Sequence, residues 1–579
     1  MAKESLRAMA QISESTHAIL ASIETPMFSS QTSSLGFPGD KSQSCYYPGE
    51  HVITPEEISL VSQYMEKHKI LPENTRIHKT FVDGHCVYEL LLASVEKNTG
   101  QEKITKLPGS EASIRLVKGD HGDELLTICH SLRQAAQYAA NPIQETFLDQ
   151  YQRSFYTGDL EIYKESQKTW IQDAKPSVEN IFGFVEKYRD PYGVRAEFEG
   201  LVAISDRKET ELLTKLVEES SKFIRRLPWA TGTSKNNGKG PFEKSLFEPP
   251  DFTSIYALAY CSSTISGGIN LPNYNDIRQQ NGFKNVIIAN RMNAESDETQ
   301  VSPFVGVSEA AAFQKHRYAA KYIWIVLHEL LGHGTGKLMT EEDGEYNFDI
   351  KSPPINPLTQ RPIDSWYRSG QTWSGMFGDI ANTVEECRAD LVGAYLMDDI
   401  ELLALFGFTS ESDTTAQDLT YNMYVQLGVK GLQGLQNYNI ENGKWGQAHS
   451  RAHFAILRYL LTDGNGFMTI DYNSAEDQIT VHVDRSRIVS DGKPALGRML
   501  LRLQMYRSTA DVKNCRDYYE DLSRVDGPYL EWRRIVLVRV QPKWVFVQPN
   551  TFLEGEEVIL KNYDATPQGV IQSWAERDL

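Results

Sequence analysis

Alternating apolar and polar residues predict strands in the first part of the chain, and helical spacing predicts helices around them. Residues 76–95 alternate on both sides of Asp83-Gly84, a dipeptide typical of two-residue β-hairpins. Residues 197–204 predict another strand. Segments 125–189 and 207–226 carry apolar residues three and four positions apart, which predicts amphipathic helices. We therefore expect sheet and helix together before residue 230.

The rest of the chain is expected to be mainly helical up to about residue 462. Residues 231–241 and 340–362 are rich in glycine, proline and polar residues and predict loops. Residues 1–45 are rich in serine and weakly periodic, which predicts a short helix followed by irregular chain. Alternating runs predict four strands after the helices, at 478–483, 534–540, 543–548 and 557–561.

The composition excludes several classes of protein. With 40% hydrophobic and 23% charged residues, the chain has a globular profile. Its formal charge of −18 disfavours nucleic acid or an anionic membrane as a partner. No run approaches the ~18 apolar residues of a membrane helix, the start carries no apolar leader, and the six cysteines form no CxxC pair. We predict a cytoplasmic, monomeric protein with reduced thiols that binds neither nucleic acid nor membrane.

A helix that ends in glycines carries the first candidate site residues. Residues 322–331 (YIWIVLHELL) predict this helix. In the common zinc motif, two histidines four positions apart differ by about 40° around the helix, whereas the five-position spacing of His328 and His333 gives about 140°. Both rings reach one ion only if the helix bulges, so we predict a π-type insertion at Gly332. Glu329 is then expected beside the metal as a catalytic base.

Three carboxylates compete for the third metal position. Glu385, Glu386 and Asp390 lie on the next predicted helix, 384–397, and Glu386 and Asp390 share a face. One of them would bind the metal while the others hydrogen-bond to the histidines, and the pattern alone leaves the choice open. Two imidazoles and a carboxylate suit zinc, but also cobalt or manganese. Alternatively, both motifs occur by chance and the acidic residues only stabilise the start of a helix.

The two motifs together resemble those of a known family. HELLGH at 328–333 followed by EECRAD at 385–390 resembles the dipeptidyl peptidase III family, which is marked by HExxGH and EExRAE/D. Other family-like segments are EKYRDPYGVRAEFEG (186–200), GGINLPNY (267–274), QAHSRAHFAILR (447–458) and VQPNTFLEG (547–555). The resemblance covers about residues 45–579.

The resemblance implies an α+β fold, mostly α, with two lobes separated by a wide cleft. An upper helical lobe would bind zinc, and a lower lobe would contain a β-barrel. The lower lobe would span 1–206, shortened at its N-terminal side relative to the family, with 255–275 contributing a substrate-binding strand. The upper lobe would comprise 207–254 and 276–579, with strands at its C-terminal end.

The resemblance also implies roles for single residues. His328, His333 and Glu386 are similar to the family's zinc ligands, with one Zn²⁺ per chain, and Glu329 is similar to its catalytic base. The remaining two carboxylates, Glu385 and Asp390, would then orient the histidines.

Other residues are matched to the family's substrate site. Tyr188 and His449 resemble residues that stabilise the transition state. Residues that would hold the substrate are Glu186, Asn270 and Asn273 at its amino terminus and Arg516 at its carboxyl side.

The leading hypothesis is a zinc-dependent exopeptidase that removes dipeptides from the N-terminus of short peptides. A metal-dependent hydrolase of another small substrate is an alternative, because His453 replaces a typical arginine and Ser374 replaces an aspartate found in several relatives. A second alternative is an inactive peptide-binding protein, although such a protein has no need to keep Glu329. The loop 357–362 (PLTQRP) lacks the ETGE motif by which animal relatives bind an adaptor, so no such partner is expected.

Overall fold

The computed structural model describes residues 44–98, 103–230, 232–244, 251–296, 301–539 and 544–577, together with 36–39 and eight positions between 7 and 21. Most of the segment 1–45, for which a short helix is predicted, lies outside these ranges.

Many helices begin at a polar residue that accepts a hydrogen bond from the first turn. Thr54, Asn141 and Thr415 do so, and the first and last of these form complete capping boxes. The helices are α1 (Pro55–Lys67), α2 (Gly122–Ala136), α3 (Pro142–Thr157), α4 (Leu160–Gln172), α5 (Arg207–Ile224), α6 (Asn275–Gln280), α7 (Ala289–Asn293), α8 (Val307–Leu327), α9 (Trp373–Phe377), α10 (Ala381–Leu396), α11 (Ile400–Leu405), α12 (Ala416–Gly434), α13 (Ala448–Asp463), α14 (Lys493–Ser508), α15 (Val512–Leu522), α16 (Pro528–Val538) and α17 (Pro567–Ala575). Lys235–Gly238 is a single irregular helical turn with left-handed backbone at Asn236 and Asn237. Short turns of π or 3₁₀ type are His328–Gly332, Gly378–Ile380, Leu435–Asn437, Arg485–Arg487 and Ile488–Gly492.

The strands form two larger sheets and several hairpins. The first sheet has the order β1 (Thr75–Val82), β2 (His85–Ala93), β4 (Ser113–Asp120) and β3 (Thr105–Lys106). The second has the order β5 (Val178–Phe184), β6 (Phe198–Asp206), β7 (Asp251–Cys261), β9 (Lys284–Ile288) and β8 (Gly268–Leu271), so β8 lies at its edge. The hairpins pair β10 (Glu341–Glu342) with β11 (Glu345–Tyr346), β12 (Ile355–Asn356) with β13 (Arg361–Pro362), β14 (Tyr438–Asn439) with β15 (Lys444–Trp445), β16 (Met468–Asn473) with β17 (Gln478–Val483), and β18 (Asn550–Glu554) with β19 (Glu557–Lys561).

The hairpin predicted around Asp83-Gly84 is confirmed. Strands β1 and β2 pair in antiparallel register up to Val82 opposite His85. Asp83 and Gly84 have φ values of 51° and 80°, the left-handed conformation that a type I′ turn requires at both positions. The strands predicted at 197–204, 478–483 and 557–561 are likewise present as β6, β17 and β19.

Three predicted elements are wrong in part or in full. The helical segment predicted at 125–189 breaks after α4, and β5 follows as a strand of the second sheet. Residues 534–538 of the strand predicted at 534–540 are instead part of α16, which begins at Pro528 and buries Trp532, Ile535 and Val536 on one face. Residues 544–548, the described part of the strand predicted at 543–548, form no strand.

The apolar side chains gather into three cores. One joins α1 to the first sheet through Ile58, Ile77 and Leu90. A second packs α2, α3 and α4 against the second sheet and includes Ile269 and Leu271 of β8. The largest extends from α5 to α16. The predicted mixture of helix and sheet is confirmed, and no helix of the described residues is long and apolar enough to cross a membrane.

Candidate active site

The two motif histidines lie on a π-helical turn, as their spacing predicts. Helix α8 runs into the turn His328–Gly332, and the N–H of His333 donates to the carbonyl oxygen of His328 at 3.0 Å, five residues back. This extra residue rotates the second ring onto the same side as the first. The Nε2 atoms of His328 and His333 lie 3.1 Å apart as a result.

Side chains from other segments hold the carbonyl groups of this turn. Asn270 of β8 donates to the carbonyl oxygen of Glu329 at 3.1 Å. The buried Arg388 of α10 donates to that of Gly332 at 2.6 Å, and Arg278 of α6 donates to that of His333 at 2.9 Å. The bulge is therefore supported by tertiary contacts.

The helix α10 brings one carboxylate against both imidazoles. Oε2 of Glu386 lies 3.2 Å from Nε2 of His328 and 3.5 Å from Nε2 of His333. Within the described part of the chain, His328, His333 and Glu386 form the one group of three histidine, cysteine or acidic side chains whose donor atoms converge closely enough for a shared ion. All three are largely buried.

This donor set fits a tetrahedral zinc ion. Atoms bound at about 2.0–2.2 Å in tetrahedral geometry stand roughly 3.4 Å apart, which is close to the 3.1, 3.2 and 3.5 Å separations found here. Oε2 of Glu386 is buried and accepts no hydrogen bond of good geometry from the described residues, although imidazole nitrogens surround it. Donor atoms that face a common point without bonding one another are typical of ligands around a cation.

The two other motif carboxylates contact the outer nitrogens of the histidines. Oδ1 of Asp390 lies 2.8 Å from Nδ1 of His328, and Oε1 of Glu385 lies 3.4 Å from Nδ1 of His333. Burial acts to raise the pKa of Glu385, but the guanidinium groups of Arg388 and Arg507 outweigh it and hold this pKa well below its usual range. Charged carboxylates in these places favour N–H at Nδ1, which leaves Nε2 free to bind a metal.

Glu329 projects from the same turn without joining the three converging donors. Its side chain lies against β8 at Gly268, where an added Cβ would come within 2.9 Å of both Cγ and Oε1 of Glu329. Burial raises the pKa of Glu329, while the nearby His328 and His333 act to lower it. A buried carboxylate with a raised pKa can take and return a proton near neutral pH.

Tyr188 and His449 approach Glu386 from two sides. The hydroxyl of Tyr188 donates to Oε1 of Glu386 at 3.1 Å, and Nε2 of His449 lies 3.1 Å from Oε2. Burial and the adjacent charge of Glu186 raise the pKa of Tyr188 well above its usual value, so its hydroxyl remains a hydrogen-bond donor. The structure thus places both residues beside the cluster of His328, His333 and Glu386, which we call the metal cluster because it could hold one ion.

The residues expected at the substrate's amino terminus divide into two groups. Nδ2 of Asn273 donates to Oε2 of Glu186 at 3.3 Å, so these two side chains form one polar corner. The side chain of Asn270 is instead engaged by Arg278, Asn285 and the carbonyl of Glu329. Asn270 therefore braces the π turn in this structure.

Arg516 is not brought to the other predicted residues. On α15 it pairs with Oδ1 of Asp379 and Oε1 of Glu520, both at 2.8 Å, and donates to the carbonyl of Phe377. Its role toward a substrate stays a prediction.

Several contributors to the site, Arg278, Gly268 and His453 among them, were not predicted as such from the sequence. Arg278 gave no signal, because a single arginine on a short helix has no distinctive pattern. Gly268, within GGINL, gave a weak one, since glycine in a strand marks close approach of another group. His453, noted only as a substitution, places Nε2 3.1 Å from Oδ2 of Asp390, on the far side of the carboxylate that orients His328.

A cluster of two imidazoles and a carboxylate, with the Glu329 carboxylate beside it but not part of it, defines a site of the metallopeptidase type. Comparison with known proteins makes the assignment specific. The sequence profile described as Peptidase family M49 matches residues 19–578. Dipeptidyl peptidase 3 of Rattus norvegicus is 39% identical over 93% of this chain and 73% of the rat protein. Dipeptidyl peptidase 3 of Homo sapiens is 38% identical over 93% and 73%, and that of Dictyostelium discoideum is 36% identical over 94% and 77%.

The fold is shared with solved structures at low sequence identity. Dipeptidyl-peptidase III from Corallococcus sp. strain EGB matches with a TM-score of 0.56 and 16% identity, over 85% of this chain and 76% of that protein. DPP III from Caldithrix abyssi matches with the same TM-score and identity, over 92% of this chain and 87% of that protein.

The sequence profile and the relatives at 36–39% identity show that the chain belongs to peptidase family M49, the dipeptidyl peptidase III family, and is a hydrolase of that family.

Proposed function

We propose that this peptidase is a zinc-dependent exopeptidase that removes dipeptides from the N-terminus of short peptides. The observation that carries the proposal is the convergence of His328, His333 and Glu386 beside the uncommitted carboxylate of Glu329. The names of the relatives, all dipeptidyl peptidase 3, support the dipeptide product.

His328, His333 and Glu386 would hold the ion, with Asp390 and Glu385 fixing the two rings. When bound, zinc polarises the scissile carbonyl and lowers the pKa of water. Glu329 takes the proton of the attacking water and transfers it to the leaving amine, a task that suits a buried carboxylate with a raised pKa.

Tyr188 and His449 supply donors at the place where negative charge develops. Both already point at Glu386 within 3.1 Å, so small movements bring the Tyr188 hydroxyl or the His449 Nε2–H toward a carbonyl oxygen bound there. Donors held in place before the reaction stabilise an oxyanion more than water does.

Glu186 and Asn273 would hold the α-ammonium group of the peptide. The carboxylate and the amide oxygen lie at one corner, next to Tyr188, and a charge-assisted hydrogen bond there fixes where the chain begins. Holding the α-ammonium group two residues before the cleaved bond makes a dipeptide the product. Asn270 contributes by holding the backbone of Glu329.

The arrangement also supports the expected division into two lobes. Ile269 and Leu271 of β8 belong to the core of the second sheet, whereas Leu330 and Leu331 of the π turn belong to the large helical core. The site thus lies where two cores meet, as a site between lobes requires. We further propose that the enzyme acts as a cytoplasmic monomer. Its six cysteines, all free, suit that compartment.

Zinc content and dipeptide release by the purified chain test the proposal. A chromogenic dipeptide amide should be cleaved by the zinc-loaded protein, and Glu329→Ala should lose at least about a hundredfold in kcat while retaining one zinc per chain. Dipeptide release that survives Glu329→Ala would refute this mechanism. A peptide whose amino terminus is acetylated should resist cleavage, and its undiminished cleavage would indicate an endopeptidase.

A further inference from the structure

A cavity of about 360 Å³ opens beside the metal cluster and extends away from it. The cavity is lined by His328, Glu329 and His449. It is also lined by two lysines, Lys321 of α8 and Lys430 of α12. The reacting groups and these cations therefore share one space.

One buried carboxylate, Glu295, lies next to several cations beside this cavity. It pairs with Lys321 and, at 2.8 Å, with Arg291. Lys430 is half-buried and has no hydrogen-bond or ion-pair partner among the residues that the structure describes. Lys321, Lys430 and Arg291 all act on the charge of Glu295. Burial, and next the charge of Lys430, lower the pKa of Lys321 to about 7.

A third cationic side chain, Arg189, also lines the cavity. Arg189 directly follows Tyr188 and donates through Nε to Oγ of Ser263 at 3.1 Å. Its Nη1 atom is buried and has no hydrogen-bond partner within the described ranges. Buried donors without partners are rare, and those that face a cavity are commonly satisfied by a ligand.

The course of β8 shows which part of a peptide would reach the cations. Asn273, at the proposed ammonium corner, follows the C-terminal end of β8, whereas Gly267 and Gly268 at its start line the cavity. Glu329 lies against Gly268, at the start of β8. A peptide whose amino terminus lies at Asn273 would pass the metal cluster and place the residues after the cleaved bond in the cavity.

We propose that Lys430, with Lys321 and Arg189, forms a carboxylate-binding subsite for the leaving part of the peptide. This inference rests on the proposed function. The carboxylate is either the C-terminal group of a short peptide or the side chain of an aspartate or glutamate that follows the cleaved bond. Both present two oxygens that lysine and arginine bind by charge-assisted hydrogen bonds.

The test compares matched peptides with the zinc-loaded full chain. One pair of tetrapeptides differs only in a free or an amidated C-terminus, and a second pair, both amidated, differs only in Glu or Gln after the cleaved bond. For each pair, the ratio of kcat/KM for dipeptide release is measured for the wild type, Lys430→Gln and Lys430→Arg. Lys513→Gln is the control, because it removes the same charge from an exposed lysine, 84% accessible and paired with Asp517, that does not line this cavity.

We expect the wild type to favour the carboxylate peptide of at least one pair by roughly tenfold, the effect of one charge-assisted hydrogen bond, mainly through KM. Lys430→Gln should reduce that ratio to below about twofold, Lys430→Arg should retain most of it, and Lys513→Gln should leave it unchanged. The pair that responds identifies the C-terminal group or the side chain as the source.

Equal cleavage within both wild-type pairs, or an unaltered ratio in Lys430→Gln, would overturn the subsite while leaving dipeptide release intact. If none of the four peptides releases a dipeptide, the proposed function is overturned, and the subsite with it.

Discussion

Replacing Gly332 by alanine tests whether close packing of the π turn against α10 sets the metal geometry. An added Cβ would lie 2.8 Å from both Cα and Cβ of Ala389 and 2.9 Å from its carbonyl oxygen. These atoms belong to a buried helix and cannot rotate aside, so the 2.8 Å contact must open to about 3.4 Å, a separation of roughly 0.6 Å. Helix α10 carries Glu386, whereas the turn carries both histidines, so the shift falls directly between ligands.

The expected loss of zinc affinity follows from the narrow range of distances that metal–ligand bonds tolerate. Metal–ligand distances vary by only about 0.2 Å, less than the separation that the added methyl group imposes. We expect Gly332→Ala to weaken zinc binding by at least tenfold, comparable to losing an outer hydrogen-bond partner. Overpacking should also lower the free energy of unfolding of the metal-free protein by about 1–3 kcal/mol.

Competition with a chromophoric chelator gives the zinc affinity, and thermal unfolding with and without zinc gives the stability. Gly306→Ala is the matched control, since Gly306 caps the other end of α8 and its Cβ would approach nothing closer than 3.8 Å, at Thr480. A folded Gly332→Ala protein with the zinc affinity of the wild type would refute the packing argument.

Three other substitutions separate metal binding from catalysis. Gly268→Ala should displace the Glu329 side chain, which an added Cβ would approach to 2.9 Å, and so lower kcat at least tenfold with zinc content unchanged; a proportional loss of zinc would contradict this reading. Asp390→Asn should reduce zinc affinity about 10- to 100-fold, because the charged partner of His328 Nδ1 is lost, and chelator competition that finds no change would exclude this role. Tyr188→Phe should lower kcat about 10²- to 10³-fold through loss of an oxyanion donor while KM and zinc content stay near wild type, so a variant with unaltered kcat would remove Tyr188 from the reaction.

Local chemistry made some elements predictable from the sequence. The Asp83-Gly84 turn requires left-handed backbone at two positions, which few other dipeptides favour, so its hairpin is specified within four residues. The π turn was predictable because two ligands five positions apart cannot share an ion on a regular helix. In both cases a steric or geometric constraint leaves one solution.

Features that depend on tertiary contacts were not predictable in the same way. Residues 534–540 alternate like a strand, but burial of Ile535 and Val536 against the helical core makes 534–538 helical. The residue pattern by itself left Glu385, Glu386 and Asp390 equivalent; the family resemblance implied Glu386, and the position of α10 shows that this carboxylate converges with the histidines. Arg278 donates to the backbone carbonyl of His333, so no side chain of the motif indicates that an arginine is needed there.

The side chains around the π turn stabilise the five-residue spacing between His328 and His333. A one-residue deletion that restored the shorter HExxH motif would rotate the residues C-terminal to it by about 100° and carry the carbonyls of Gly332 and His333 away from Arg388 and Arg278. Each guanidinium would forfeit a hydrogen bond worth about 1.5–3 kcal/mol in a buried setting. The five-residue spacing is therefore supported by the hydrogen bonds of Arg388 and Arg278 as well as by the geometry of the metal site.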